Sequence, residues 1–120
     1  MGFNLDDYED VDSRIHKFWE DRGREGRIMT EIVHLHENAE GRIDQIIIKA
    51  TVLDENGIIA TGFAEETLTN YGVNKTSMVE NCETSSIGRA LSTAGWSAKG
   101  KRASRTEMEK VERLNEVIKA

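Results

Sequence analysis

Residues 74–96 read NKTSMVENCETSSIGRALSTAGW, and they predict one buried helix. Ser77 is a favourable N-cap, and Glu80 three residues on completes a capping box. Gly95 suits the residue just past the helix, with Trp96 placed for the hydrophobic contact that often accompanies such an end. Between the two ends stand Ser85, Ser86, Gly88, Ala90, Ser92 and Ala94, all small. Gly88 alone costs about 1 kcal/mol against alanine in a helix interior. A helix that carries this load lets another backbone come close, so it is expected to lie tightly against a sheet.

The sheet is legible upstream. Over residues 27–37, alternation puts Met29, Val33 and Leu35 on one face and Ile28, Thr30, Ile32, His34 and His36 on the other. Residues 43–53 are the most apolar stretch and predict a central strand with both faces largely covered. Asn56-Gly57 supplies the positive φ angles of a tight hairpin turn. Residues 58–68 predict a third strand, alternating Ile59, Thr61 and Phe63 against Ile58, Ala60, Gly62 and Ala64. Gly62 marks a bulge or a close backbone approach from the following helix.

Helices flank this unit. From about residue 8 to 24, Tyr8, Val11, Ile15, Phe18 and Trp19 recur at helical spacing, with Phe18 and Trp19 read as core anchors. Acids crowd the start of that segment, and Arg22 and Arg24 stand at its end, as the helix dipole favours. Residues 97–103, SAKGKRA, form a basic connection. Ser104 and Glu107 then open a last helix whose apolar stripe is Met108, Val111, Leu114 and Ile118. The expected architecture is α+β in one domain, residues 1–120. A core over 8–96 holds an N-terminal helix, a three-stranded antiparallel meander and a long helix packed on the sheet. Residues 97–120 add the basic connection and a C-terminal helix. Such a sheet has two open edges that must be covered or paired.

Composition narrows the function classes. A charged fraction of 32% and a hydrophobic fraction of 38% describe a globular chain. No apolar run approaches the roughly 18 residues of a membrane span, and the acidic start lacks a signal-peptide core, so a cytoplasmic location is expected. The single Cys82 fits a reducing compartment and a small buried position. Net charge is -6, yet residues 84–106 contain no acid and carry Arg89, Lys99, Lys101, Arg102 and Arg105. That run argues for an anionic partner or, more plainly, for a solvated basic loop.

No phosphate loop or dinucleotide fingerprint is present, and Cys82 has no adjacent histidine to activate it, so neither an enzyme nor a cofactor is expected. The best metal candidate is His34-Leu-His36, two imidazoles on one strand face, with Glu80 or Glu83 as a third ligand. Two half-exposed histidines near a strand end are the simpler account. Nucleic-acid contacts fare better. Lys75, Thr76 and Ser77 offer donors at a helix N-terminus, Arg89 projects further along, and the cations from Lys99 to Arg105 follow. Tyr71 and Trp96 are candidates for base stacking, although a contact at the helix end explains Trp96 equally.

The segment Thr76, Ser77, Glu80, Asn81, Glu83, Thr84, Ser85, Gly88, Arg89, Ala90 and Leu91 resembles a motif of small phage and actinobacterial proteins. These are similar to single-strand annealing proteins of the ERF and Sak kind. The likeness extends more loosely over residues 11–96, with Ser86 where the motif usually has alanine. It implies a β-β-β-α core and subunits associating through sheet edges. It also implies single-stranded DNA held in a basic groove, with strand annealing as an activity and no nucleotide hydrolysis. If phage-encoded, the protein would act in the host cytoplasm. Two other expectations stand beside it: an oligomeric protein-interaction module without nucleic acid, and a small metal-dependent enzyme using His34 and His36. Of the motif positions, Gly88 is the close-packing residue, Ser77, Asn81 and Thr84 are expected to shape the helix end, and the pairing of Asn81 with Glu83 has no account from the residues alone.

Overall fold

The computed structural model describes residues 5–96, the side chains of residues 5–10 excepted. The order is α1 (Leu5–Arg22), β1 (Arg27–Glu37), β2 (Ile43–Asp54), β3 (Gly57–Thr67) and α2 (Met78–Ala94). Short 3-10 turns at Gly23–Glu25 and Val73–Lys75 lead into β1 and α2. The sheet is an antiparallel meander in the order β1-β2-β3. The expected α+β fold is present across these residues. The C-terminal helix at 104–118 lies outside them.

One face of the sheet carries the core. On β2, Ile46, Ile48, Ala50 and Val52 are buried and point to α2. Ala60, Gly62 and Ala64 share that face through the β2–β3 register. The contact at Gly62 is the tight approach that the small residues of α2 predict. A Cβ added there would lie 2.4 Å from the Ala90 nitrogen and 2.7 Å from the Ser86 carbonyl oxygen. Gly88 serves the other neighbour: a Cβ there would lie 2.5 Å from Cγ2 of Val11 on α1. Arg14 adds a hydrogen bond from Nη1 to the Gly88 carbonyl at 3.1 Å. Phe18, Ala50, Val52, Ala90, Leu91 and Trp96 close one end of the core, and Ile46, Ile48, Ala64, Met78 and Cys82 close the other.

Three expectations are corrected. First, β1 does not alternate along its length, because Val33 has no partner on β2. This bulge moves Leu35 onto the helix-facing side with Ile28, Thr30 and Ile32, and His34 and His36 onto the opposite side with Met29 and Glu31. A second irregularity skips one residue of β3 between Ile58 and Ala60. Ile59 accordingly packs against the core while Ile58 is exposed. Second, β2 is not covered on both faces: Ile47, Lys49 and Thr51 are half-buried, and Phe63 beside them is exposed. Third, Phe18 is fully buried as expected, but Trp19 is 42% exposed, in an edge-to-face contact with Phe18.

The far end of α2 is closed as its sequence predicts. Gly95 is left-handed at φ 104°, its N–H donates to the Ser92 carbonyl, and the Trp96 N–H donates to the Leu91 carbonyl. This paired arrangement returns the chain onto the core. Trp96 lands edge-on to Phe18, its indole Nε1 donates to Asp21 at 2.6 Å, and Arg22 stacks over its ring.

Candidate nucleic-acid interface

Three segments meet at the N-terminal end of α2. They are the turn between β1 and β2, the loop after β3, and the first turn of the helix. Asn38 shapes the turn: its Oδ1 accepts from the backbone N–H of Glu40 and of Arg42, both at 3.0 Å. Gly41 takes the positive φ that the turn then requires. Arg42 is thereby aimed at the second segment, where its Nη2 donates to the Lys75 carbonyl.

The second segment is fixed from below. Asn81 is only 7% exposed, and its Nδ2 donates to Asn74 Oδ1 at 2.9 Å. Asn74 Nδ2 donates in turn to Glu66 Oε1 at 2.8 Å. This chain of amides ties α2, the loop and β3 together, which gives the motif residue Asn81 its role. Lys75 and Thr76 are left exposed above it. Between the segments opens a cleft of about 300 Å³. Ile43, Leu68, Met78 and Val79 give it an apolar floor, and Arg42, Asn74, Thr76 and Glu80 give it a polar rim.

The structure therefore brings together Lys75, Thr76 and Ser77, and it adds Arg42, which the sequence reading missed. The signal for Arg42 was its place directly after the turn at Gly41, but only the register of β2 shows which way it returns. Ser77 does not act as expected. It makes no side-chain cap, and its own N–H donates to the Val73 carbonyl at 2.8 Å. The 3-10 turn already occupies the N–H that Glu80 would need to complete a capping box, so that expectation is corrected. Glu80 instead lines the cleft.

The remaining candidates scatter. Arg89 is exposed on α2 about 18 Å along the helix from Ser77. Tyr71 is 60% exposed in the loop, where the Thr69 hydroxyl donates to its carbonyl at 2.7 Å. Trp96 is 8% exposed with its N–H engaged by Asp21, so it is not a stacking surface, and that expectation is corrected too. Lys99, Lys101, Arg102 and Arg105 lie outside the described residues. Glu83 finds its partner in Thr30, whose hydroxyl donates to Oε2 at 2.7 Å and pins α2 to β1. Thr84 is half-buried. Cys82 donates weakly to the Ala64 carbonyl at 3.3 Å, and burial pushes its thiol pKa up.

His34 and His36 do share a face, but His36 Nδ1 lies 2.6 Å from Asp44 Oδ1. Among the described residues, no group of three or more His, Cys, Asp or Glu is placed to hold a metal ion. No helix among them is long and apolar enough to cross a membrane. Residues 11–96 carry fourteen acids against nine Lys and Arg, so any anion must be drawn to a local patch and not to the surface at large.

A family model described as Slr1353 N-terminal dsRNA-binding domain-like matches residues 15–94. The match spans α1 to the end of α2, the whole α-β-β-β-α unit, apart from the first turns of α1. Neither a curated protein nor a solved structure matches the chain.

Proposed function

Because the chain belongs to the Slr1353 N-terminal dsRNA-binding domain-like family, we propose that it binds nucleic acid at the N-terminal corner of α2, by binding alone and without catalysis. The observation that carries this reading is the stitched corner itself. Arg42 and Lys75 come from different segments, are joined by a hydrogen bond, and stand at a helix N-terminus. Ser77 does not cap that terminus, so the first-turn N–H groups of α2 keep their donor capacity for a phosphate. Two cations and a helix end read backbone shape, not sequence. That suits a duplex, because double-stranded RNA is recognised mainly through phosphates and 2′-hydroxyls. The cations of residues 99–105 supply further counter-charge on the same chain.

Fluorescence anisotropy of the full chain with duplex RNA, duplex DNA and single-stranded DNA, each at several salt concentrations, tests this. Binding is expected to weaken steeply with salt, and Lys75→Ala and Arg42→Ala should each lower the magnitude of the salt slope by about 1. Salt-independent binding, or none at low salt, refutes it.

A second reading keeps single-stranded DNA as the ligand, with strand annealing as the activity and sheet-edge association of subunits. The exposure of Tyr71 beside the corner favours it, since an aromatic platform holds an unstacked base by about 1–3 kcal/mol. In the same titration, preference for the single strand and its loss in Tyr71→Ala would select this reading over the duplex.

A further inference from the structure

We propose that the cleft beside this corner is a pocket for one unpaired nucleobase, with guanine as its preferred occupant and Glu80 as the group that reads it. The proposal rests on the nucleic-acid reading above and goes beyond it by assigning a base-specific site.

Three observations lead there. The cleft has the right construction: an apolar floor of Leu68, Met78 and Val79 under a rim of hydrogen-bonding side chains. An unstacked base is held in this way, between apolar side chains and with polar groups on its pairing edge. At about 300 Å³ the cleft stands at the small end of ligand sites, suited to a single nucleotide and too small for a base pair in its duplex.

The second observation is the state of Glu80. Its position in the first turn would be explained by capping, but the Ser77 N–H is already held by the Val73 carbonyl. The helix dipole favours an acid in this turn, but no side-chain hydrogen bond among the described residues holds the carboxylate in place. A carboxylate is also unhelpful to phosphate binding, so a cleft evolved for backbone alone gains nothing from it. Two carboxylate oxygens accept in parallel from two adjacent N–H groups. Guanine presents such a pair, N1–H and the N2 amino group, on its Watson–Crick edge. Adenine and uracil do not present two adjacent donors there.

The third observation is the placement of Arg42. It lines the same cleft and bonds to the backbone carbonyl of Lys75, so the Arg42 guanidinium borders the pocket. A nucleotide seated with its base on the floor and its pairing edge at Glu80 can leave its phosphate to Arg42, with the exposed Lys75 next along the chain.

The test uses the full chain and a set of hairpin RNAs with one stem. Each carries a single bulged nucleotide, guanosine, inosine or uridine, and a fully paired hairpin completes the set. The guanosine bulge should bind about ten-fold tighter than the paired hairpin. Inosine, which keeps N1–H and lacks the N2 amino group, should bind more weakly than guanosine. Glu80→Gln should remove the guanosine preference. If Glu80 acted only as a repulsive charge, that variant would tighten all four probes equally. Val79→Phe, which fills the floor, should remove the preference independently of charge. Equal binding to all four probes, unchanged by Glu80→Gln, overturns the pocket and leaves nucleic-acid binding standing. No binding to any of them overturns both. Lys75→Ala should weaken all four alike, which separates phosphate contacts from base reading.

Discussion

Gly62→Ala places the tightest contact of this fold under direct test. The added methyl group would meet the Ala90 nitrogen at 2.4 Å, the Ser86 carbonyl oxygen at 2.7 Å and the Ala90 Cα at 3.0 Å. Ordinary carbon contacts lie at about 3.5–4.0 Å, so α2 must retreat from β3 by roughly 1 Å. All three obstacles are backbone atoms, and no rotamer change relieves them. That retreat would loosen Leu91, Ala90 and Cys82, all fully buried. Overpacking of a rigid site costs about 1–3 kcal/mol, and a backbone-on-backbone clash belongs at the upper end of that range. The alanine side chain returns roughly 0.5–1 kcal/mol in a strand. The expected loss is therefore about 2 kcal/mol, which lowers Tm by roughly 8 °C for a domain of this size. Urea denaturation followed by tryptophan fluorescence measures it, with Trp96 inside the core as the reporter. A variant within about 0.5 kcal/mol of the parent would refute the claim that the helix rests on bare backbone.

Gly88→Ala is the contrasting case. Its methyl group meets the Val11 side chain and not backbone, and helix propensity returns about 1 kcal/mol, so stability should change by about 1 kcal/mol or less in the same denaturation assay. Asp21→Ala strands the buried indole N–H of Trp96 and should cost about 1–3 kcal/mol, with altered near-UV circular dichroism from Trp96. Cys82 has its pKa raised by burial, so the folded state keeps its proton where the unfolded chain has lost it. Stability should accordingly hold below about pH 8.5 and decline as pH rises above it; urea midpoints at pH 7, 8.5 and 10 will show this, and Cys82→Ala should flatten the decline.

The parts legible in advance were those written in local periodicity. The helix over Met78–Ala94 and its Gly95 ending are both present, because apolar spacing and a left-handed glycine act within a few residues. Gly62 was readable for the same reason: a glycine in the middle of an otherwise regular strand has few purposes. The bulge at Val33 was not readable, since no glycine or turn residue marks it and only the partner strand shows the missing pair. Ser77 misled because a capping box is a pattern of identities, while the Val73 turn that pre-empts it is a matter of backbone geometry. In the candidate site, Lys75 and Thr76 were evident, but Arg42 was not, because 33 residues separate it from the carbonyl it holds. Glu83 found its partner in the same way, 53 residues off at Thr30, while Asn81 reaches back seven residues to Asn74 through a loop whose path the sequence does not fix.

The bonds from Arg14 to Gly88 and from Trp96 to Asp21 join residues 74 and 75 positions apart. On a ribosome that adds about 5–20 residues each second, α1 is complete some 4–15 s before the residues it docks against exist. For that interval Phe18 has no Trp96 and no Leu91 to cover it. The acids that crowd the start of α1, Asp6, Asp7, Glu9 and Asp10, give the nascent helix a net negative charge over that interval, which favours solubility.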